Sequence, residues 1–363
     1  MSADIVDFDS IPVLDLQEAK TNKRQFLNKL QNALIHIGFF YVRNHGISAD
    51  FLERLTANTK DFFDLSVDEK LKTEKIHSPT FLGYSIQGNE ITKDKKDNRE
   101  QYDFANELPS TWVPGEPEYK RLVGPNLWPS PTLVPDFRPS ILSFHSQALE
   151  LATRLIRLTA EALGLEPEAL LNSYVLPNQQ HRAKLIKYPA VDQLAPQDGT
   201  QGVGAHRDTG SLLTILYQAT EHQALQVQNH SGKWISAPPV ANTFVVNIGT
   251  GLEYLVQGVA IATTHRVINP PAGTGSRYSI AFFQGTRPDK RLLPVDLPSH
   301  IVDQKPKKAV SDSGYQFHKL FAENPGLYTL LNRISSHRDV GIKYYHQLAK
   351  QHGVEDIYSP KIK

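Results

Sequence analysis

Short apolar runs with a two-residue alternation dominate the chain from about residue 182 onward, and glycine, proline, asparagine and histidine separate them. A period of two places alternate side chains on one face of a strand, whereas an amphipathic helix needs a period near 3.6. Several short strands at regular spacing are typical of a β-sandwich or barrel. This stretch is therefore predicted to form a β core. Its runs are Ala183–Tyr188, Leu212–Tyr217, Leu225–Gln228, Phe244–Ile248 and Tyr278–Phe283.

Helical patterns flank this predicted core on both sides. Apolar residues recur at helical spacing between residues 26 and 37, and again in a long segment at about 139–163. Gly38 and Gly164 stand where these two helices are expected to end, because glycine readily adopts the left-handed conformation of a helix C-cap. The tail after about residue 310 returns to a helical pattern. The fold class predicted is a mainly β core with flanking helices.

The chain is predicted to form one compact catalytic unit with three parts. Residues 1–180 form an N-terminal region of helices and loops that packs on the core, residues 181–310 form the core, and residues 311–363 form a helical cap. Within the first part, residues 76–135 are rich in proline, glycine, asparagine and charge, which indicates long loops. Loops of this length in a compact enzyme are usually functional. We expect them, with the C-terminal helix, to form the lid and walls of a pocket.

The composition excludes several classes of protein. Lys+Arg is 39 and Asp+Glu is 38, so the net charge of +1 gives no electrostatic case for a nucleic-acid or anionic-membrane partner. The chain has no cysteine, which excludes disulfides, thiolate metal sites and cysteine nucleophiles. The acidic N-terminus lacks the pattern of a signal peptide, and no run approaches the roughly 20 apolar residues of a membrane span. We therefore expect a cytoplasmic protein. Its oligomeric state cannot be predicted.

Two histidines and one aspartate in the predicted core form a candidate metal site. His206 and Asp208 are two positions apart, so that on a strand both side chains point to one face. A third ligand must come from elsewhere, and the chain has 14 histidines. His265 is selected by its context, because the segment Thr263–Val267 is predicted to end a strand and the next strand begins twelve residues later at Arg277. Two imidazoles and one carboxylate are the ligand set of a mononuclear non-haem Fe(II) site with open positions.

Arg277 and Ser279 form a candidate site for a carboxylate. They share a face of the predicted strand with Ala281 and Phe283. A guanidinium group binds a carboxylate through two parallel hydrogen bonds, and a neighbouring hydroxyl adds a third. Together with the three metal-ligand candidates, this order and spacing point to an oxygen-activating enzyme rather than a hydrolase or a binding module.

These motifs carry a resemblance that covers nearly the whole chain. The chain resembles the plant and fungal branch of Fe(II)/2-oxoglutarate-dependent dioxygenases, the branch that includes isopenicillin N synthase. The dispersed set of metal-ligand and carboxylate-binding candidates is its specific part, and the N-terminal motifs are similar to those of this branch. The motifs are Ile11–Leu16, Gly38–Val42, Asn44–Gly46, Gly83–Tyr84, Tyr102–Phe104, Tyr188–Pro189, His206–Asp208, Val245–Gly249, His265–Val267 and Arg277–Ser279.

The resemblance implies a double-stranded β-helix, or jelly roll, with helices packed outside it. It implies Fe(II), 2-oxoglutarate and O2 as cofactor and cosubstrates. Its site residues are expected to divide into three groups. The iron ligands are His206, Asp208 and His265, the partners of the 2-oxoglutarate C5 carboxylate are Arg277, Ser279 and Tyr188, and the residues facing the substrate are Lys184 and Phe283.

The activity implied is the oxidation of a C–H bond of a small organic molecule, by hydroxylation and in some enzymes by desaturation or cyclisation, with release of succinate and CO2. Three alternatives remain open at this point. An oxidase like isopenicillin N synthase would use no 2-oxoglutarate, and Arg277 and Ser279 would bind the carboxylate of the substrate itself. A non-catalytic binding protein could share the fold. A metallohydrolase would prefer zinc, and the Arg277–Ser279 pair would then have no explanation.

Overall fold

Two β-sheets form the centre of the protein. The computed structural model describes residues 7–92, 95–175, 180–191, 201–305 and 319–354. The strands in chain order are β1 (Val13–Asp15), β2 (Phe39–Arg43), β3 (Gly83–Ser85), β4 (Ile91–Thr92), β5 (Lys95–Lys96), β6 (Glu100–Ala105), β7 (Arg182–Tyr188), β8 (Gln201–His206), β9 (Ser211–Gln218), β10 (Leu225–Gln228), β11 (Trp234–Ser236), β12 (Thr243–Ile248), β13 (His265–Ile268) and β14 (Arg277–Gly285). All five runs predicted as strands are strands in the structure.

The larger sheet has eight strands in the order β1-β2-β12-β9-β14-β7-β6-β3, and the smaller has four in the order β11-β10-β13-β8. Strands β4 and β5 form a separate short hairpin. Four strands of the larger sheet precede residue 181, and β6 pairs directly with β7. The N-terminal region therefore extends the sheet as well as packing on it. The division of the chain into three parts stays a prediction.

Eleven α-helices lie in the described ranges. They are α1 (Glu18–Thr21), α2 (Lys23–His36), α3 (Ala49–Phe63), α4 (Val67–Leu71), α5 (Phe137–Ala162), α6 (Ala169–Tyr174), α7 (Thr250–Leu255), α8 (Ser299–Val302), α9 (Lys319–Glu323), α10 (Pro325–Ser336) and α11 (Arg338–Gln351). Of these, α2, α3 and α5 pack on the face of the larger sheet away from the smaller one. Two short 3-10 helices span Lys75–His77 and Glu118–Leu122. The predicted helix ends are close to those observed, and Gly38 and Gly164 adopt φ of +71° and +73°.

Apolar packing occurs on both faces of the larger sheet. One core joins α2, α3 and α5 to the outer face through residues such as Phe26, Phe62 and Phe282. A second core lies between the two sheets and contains Ile186 of β7 and Val227 of β10. Burying each such side chain contributes roughly 1.5–3 kcal/mol. Because the inner faces of two sheets share a core, the structure confirms the predicted mainly β core with flanking helices.

The C-terminal helices pack against the first half of the chain. A third apolar cluster joins Phe81 and Leu122 to Leu330 and Ile334 of α10 and to Tyr345 of α11. This contact closes one side of the space beside β7. Within the described ranges, no helix combines the length and apolar character that a bilayer crossing requires.

Candidate functional site

The three residues predicted as metal ligands meet between β8 and β13. Strand β8 ends at His206, and His265 opens β13 directly opposite it in the antiparallel ladder. One ligand atom from each of His206, Asp208 and His265 lies within 4.8 Å of those of the other two. Asp208 Oδ1 is 3.6 Å from His206 Nε2 and 3.7 Å from His265 Nε2. Three donor atoms thus converge on one point.

The strand assignment around these residues differs from the prediction in two details. The sequence placed Asp208 on the same strand as His206, but the strand ends at His206 and Asp208 lies in the connection that follows. It also placed His265 near the end of a strand, whereas His265 is the first residue of β13. Gly210 adopts φ of +83°, so the chain turns directly after the carboxylate and β9 begins at Ser211.

Hydrogen bonds to the backbone fix which ring nitrogen each histidine presents to the centre. His206 Nδ1 is 2.7 Å from the Gly204 carbonyl oxygen, and His265 Nδ1 is 3.1 Å from that of Thr263. A carbonyl oxygen only accepts, so each Nδ1 donates a proton and each Nε2 keeps its lone pair. Burial and the neighbouring His206 ring lower the pKa of His265 to about 4, although Asp208 opposes the shift. The His265 imidazole is therefore neutral near pH 7.

The Asp208 carboxylate is held by two side chains that the sequence analysis did not select. Its Oδ2 accepts a hydrogen bond from Thr214 Oγ1 at 2.6 Å and another from Asn247 Nδ2 at 2.7 Å. Burial acts to raise the pKa of Asp208, but the adjacent His206 and His265 rings and the hydrogen bond from the Asn247 amide hold it below its usual range. Oδ1 stays available, so the set suits a divalent cation such as Fe(II).

Replacing Asn247 with leucine, which has a similar shape, is expected to weaken Fe(II) binding by about 10- to 100-fold, as is typical when an outer-shell partner of a metal ligand is lost. The carboxylate would keep only the Thr214 bond and could rotate away from the histidines. Anaerobic titration with Fe(II) measures the affinity. Asn28→Leu, at an exposed position of α2, is the matched control. An unchanged affinity in Asn247→Leu would show that the amide does not orient Asp208.

The predicted carboxylate-binding residues also lie together. Arg277 pairs with Tyr188 across the β14–β7 ladder, and its guanidinium carbon is 4.9 Å from the centre of the Tyr188 ring. Arg277 Nη2 donates to Gln218 Oε1 at 3.1 Å, and Nη1 is 3.4 Å from Ser279 Oγ. Arg277 is fully buried, and its Nε has no hydrogen-bond partner in the described part of the chain.

Arg277 also has no carboxylate within ion-pair distance among the residues that the structure describes. Burial lowers the pKa of Arg277, and the Tyr188 hydroxyl opposes this shift. A guanidinium group nevertheless stays charged in proteins. A buried cation without a counter-ion is costly. The group therefore fits an incoming carboxylate, as the 2-oxoglutarate prediction requires.

A cavity of about 1190 Å³ opens beside the metal-ligand candidates. His206, Asp208, Lys184 and Phe283 all line it. Its volume slightly exceeds the roughly 300–1,000 Å³ of an ordinary ligand pocket. Both segments predicted as pocket walls contribute lining residues, which include Leu108, Pro109, Thr111, Tyr119, Tyr328, Asn332 and Arg333. The Lys184 ammonium group contacts both oxygens of Glu90, at 3.0 and 3.2 Å.

The residues that the sequence analysis missed fall into two kinds. Thr214 and Asn247 did leave a signal, because each is the single polar residue within an apolar run of a buried strand, and they face each other in the β9–β12 ladder. A polar side chain in such a position must find a partner. Gln218 and Glu90 left no comparable signal. The Gln218–Arg277 and Glu90–Lys184 contacts join residues far apart in the sequence, so only the fold reveals them.

The chain matches two family descriptions that together cover much of its length. Residues 11–131 match the family described as the N-terminal region of non-haem dioxygenases in morphine synthesis. Residues 168–286 match the 2OG-Fe(II) oxygenase superfamily. The second match contains all the residues predicted as metal ligands or carboxylate partners.

Individual relatives agree with these matches. A 2-oxoglutarate-dependent dioxygenase of Dothideomycetidae sp. (strain 11243) is 40% identical over 347 residues, which span 93% of both proteins. A homoarginine-6-hydroxylase of Glycine max is 34% identical over 314 residues, covering 80% of this chain and 89% of that protein. The crystal structure of a full-length Neurospora crassa protein in complex with alpha-KG has a TM-score of 0.71 at 27% identity, covering 92% of this chain and 98% of that protein. With its double-stranded β-helix and its His-Asp-His triad, the chain belongs to the 2-oxoglutarate- and Fe(II)-dependent oxygenases.

Proposed function

We propose that this dioxygenase holds Fe(II) with His206, Asp208 and His265, and the C5 carboxylate of 2-oxoglutarate with Arg277, Ser279 and Tyr188, and that it oxidises a C–H bond of a small organic substrate. One observation carries the proposal. Ligand atoms of the three metal-ligand candidates converge, and the same fold contains a buried guanidinium group that has no acidic partner among the described residues. A metal site and a carboxylate site in one small core match the needs of this cofactor pair.

The protein residues have distinct tasks in this reaction. When bound, Fe(II) would supply the redox chemistry by which O2, 2-oxoglutarate and the substrate are converted to succinate, CO2 and the oxidised substrate. His206, Asp208 and His265 would hold the metal through three protein ligands. Arg277 neutralises the buried carboxylate of 2-oxoglutarate and sets its direction, because its two nitrogens form a rigid fork. The protein thus supplies position and charge rather than covalent chemistry.

Phe283 and Ile186 give the cavity an apolar surface beside the metal site. Both residues line the cavity, and they lie on the two paired strands β14 and β7. An apolar wall excludes water and holds the carbon skeleton of a substrate by contact area. We therefore place the reacting C–H bond between Phe283 and the metal, with Lys184 farther along the same face.

The substrate is proposed to be a small polar metabolite. One relative is a homoarginine-6-hydroxylase of Glycine max, and the Neurospora crassa protein has also been solved with thymine. Both are small molecules with several polar groups. Hydroxylation is the outcome that we propose first, and no nucleic-acid partner is proposed. The cytoplasmic location stays a prediction from the sequence.

The test is anaerobic addition of Fe(II) and then 2-oxoglutarate to the metal-free protein. We expect a visible metal-to-ligand charge-transfer band that depends on both additions. Succinate release in air then scores candidate substrates, with L-homoarginine as the first. Iron binding without the band, together with substrate oxidation without succinate, would favour an oxidase like isopenicillin N synthase. Failure to bind iron would contradict the proposal as a whole.

A further inference from the structure

Two carboxylates in the cavity wall, those of Glu90 and Asp103, are already neutralised. Glu90 accepts from Lys184 at 3.0 Å and from Arg99 at 2.8 Å. Asp103, which is fully buried, is 2.6 Å from the ammonium group of Lys75. Each acid therefore has at least one cation in direct contact. These carboxylates do not provide a free negative site for a substrate amine or guanidinium group.

Two arginines in the same wall have no oppositely charged contact within the described ranges. Arg182 Nη2 donates to the carbonyl oxygens of Thr80 at 2.6 Å and Leu122 at 2.8 Å, which fixes the guanidinium, but its buried Nη1 has no partner. The buried Nε of Arg333 also has none. No carboxylate among the described residues lies within 4.0 Å of either guanidinium group.

The charges of the two arginines also act on each other. Burial lowers the pKa of Arg182, the neighbouring Arg333 charge lowers it further, and the charge of Asp103 opposes the shift. Two like charges that are shielded from solvent repel each other, and each of the two guanidinium groups retains an N–H donor without an acceptor. A bound anion would remove both penalties, because it would accept the free N–H groups and separate the charges. The arrangement has the properties of an oxyanion subsite.

This subsite lies at the opposite end of the strand from Arg277. Arg182 and Tyr188 share one face of β7, and six residues along a strand correspond to about 20 Å. Arg182 pairs with Phe283, whereas Tyr188 pairs with Arg277. Arg182 and Arg333 both line the cavity that contains His206 and Asp208. An anion bound there is therefore separate from the C5 carboxylate of 2-oxoglutarate.

Building on the function proposed above, we propose that Arg182 and Arg333 bind a carboxylate of the substrate, so that the substrate is a small carboxylic acid such as an amino acid. Its carboxylate lies against the two arginines, and its carbon chain runs past Phe283 toward the metal. The carboxylate also fixes which carbon reaches the reacting position, because the anchored end sets the length of chain available.

Binding of matched acids and amides tests this assignment. The probes are L-homoarginine, L-lysine and hexanoate, each compared with its own carboxamide, in protein saturated with 2-oxoglutarate and followed by calorimetry. We expect at least one acid to bind about tenfold or more tightly than its amide, because hydrogen bonds to charged groups are the strong ones. The ratio of acid affinity to amide affinity should fall toward one in both Arg333→Met and Arg182→Met. The Arg333 guanidinium makes no hydrogen bond to a described residue, so its removal should disturb the fold little. Exposed Arg54→Met is the control.

Three results would overturn the assignment. They are equal binding of acids and amides, failure of every acid to bind, and an acid preference that survives in both folded arginine variants. Tighter binding of inorganic phosphate than of all three acids would also overturn the assignment, because the site would then take a phosphoryl group.

Thermal melting identifies a variant that has not folded. The charge-transfer band of the Fe(II)–2-oxoglutarate complex is expected to remain in Arg333→Met. Absence of this band in the unmodified protein would count against the proposed function and not against the carboxylate subsite. An acid preference that persists in Arg277→Met separates this subsite from the cosubstrate site.

Discussion

Replacing Asp208 with alanine is expected to abolish Fe(II) binding and to reduce 2-oxoglutarate turnover to the background of the assay. The loss should exceed the roughly 10- to 100-fold effect of an outer-shell substitution. Asp208 is the single carboxylate in the converging set, so the variant would leave two neutral imidazoles to hold a divalent cation. Thr214 and Asn247 would also lose the acceptor that they share. Metal content after anaerobic loading and succinate release are the two measurements.

Two further variants make this result specific. Asp61→Ala, at an exposed position of α3, should bind iron and release succinate as the unmodified protein does. Asp208→Asn keeps the shape and loses the charge, so it should also lose most of the iron affinity. Tight, stoichiometric Fe(II) binding by a folded Asp208→Ala protein would show that the metal site lies elsewhere.

The sequence predicted those parts of the fold that depend on local periodicity. Five strands, the long helix α5 and the glycine helix ends follow from side-chain patterns within single segments. The order and spacing of His206, Asp208, His265 and Arg277 predicted the family and its cofactors, and the relatives confirm both. The position of Asp208 outside β8 was missed, because alternation extends through a residue whether or not its backbone still pairs.

The wall of the cavity could not be predicted in the same way. Glu90 meets Lys184, Lys75 meets Asp103, and Arg182 approaches Arg333 only because β7, β6 and the C-terminal helices pack together. Each side chain alone resembles an ordinary surface charge in the sequence. Their burial and pairing are properties of the assembled fold. This is why the sequence identifies the reaction class more readily than the substrate.

Replacing Arg277 with methionine is expected to separate stability from cosubstrate binding. No carboxylate of the described ranges pairs with the buried guanidinium, so its burial should destabilise the fold. The protein without 2-oxoglutarate should therefore melt at the same temperature or higher after the substitution. Loss of one partner of a buried charge pair costs about 2–5 kcal/mol of binding free energy. The affinity for 2-oxoglutarate should therefore fall by roughly 30-fold to several-thousand-fold.

Melting curves with and without 2-oxoglutarate measure both effects in one experiment. A ligand that binds only the folded state raises the melting temperature, so the unmodified protein and exposed Arg54→Met should shift while Arg277→Met does not. Arg277→Lys keeps the charge but not the planar fork, and its shift should be intermediate. A folded Arg277→Met protein that still binds 2-oxoglutarate normally would remove Arg277 from the cosubstrate site. A large destabilisation without 2-oxoglutarate would instead show that the Gln218 bond and the Tyr188 contact already satisfy the guanidinium, so that its burial does not require an incoming anion.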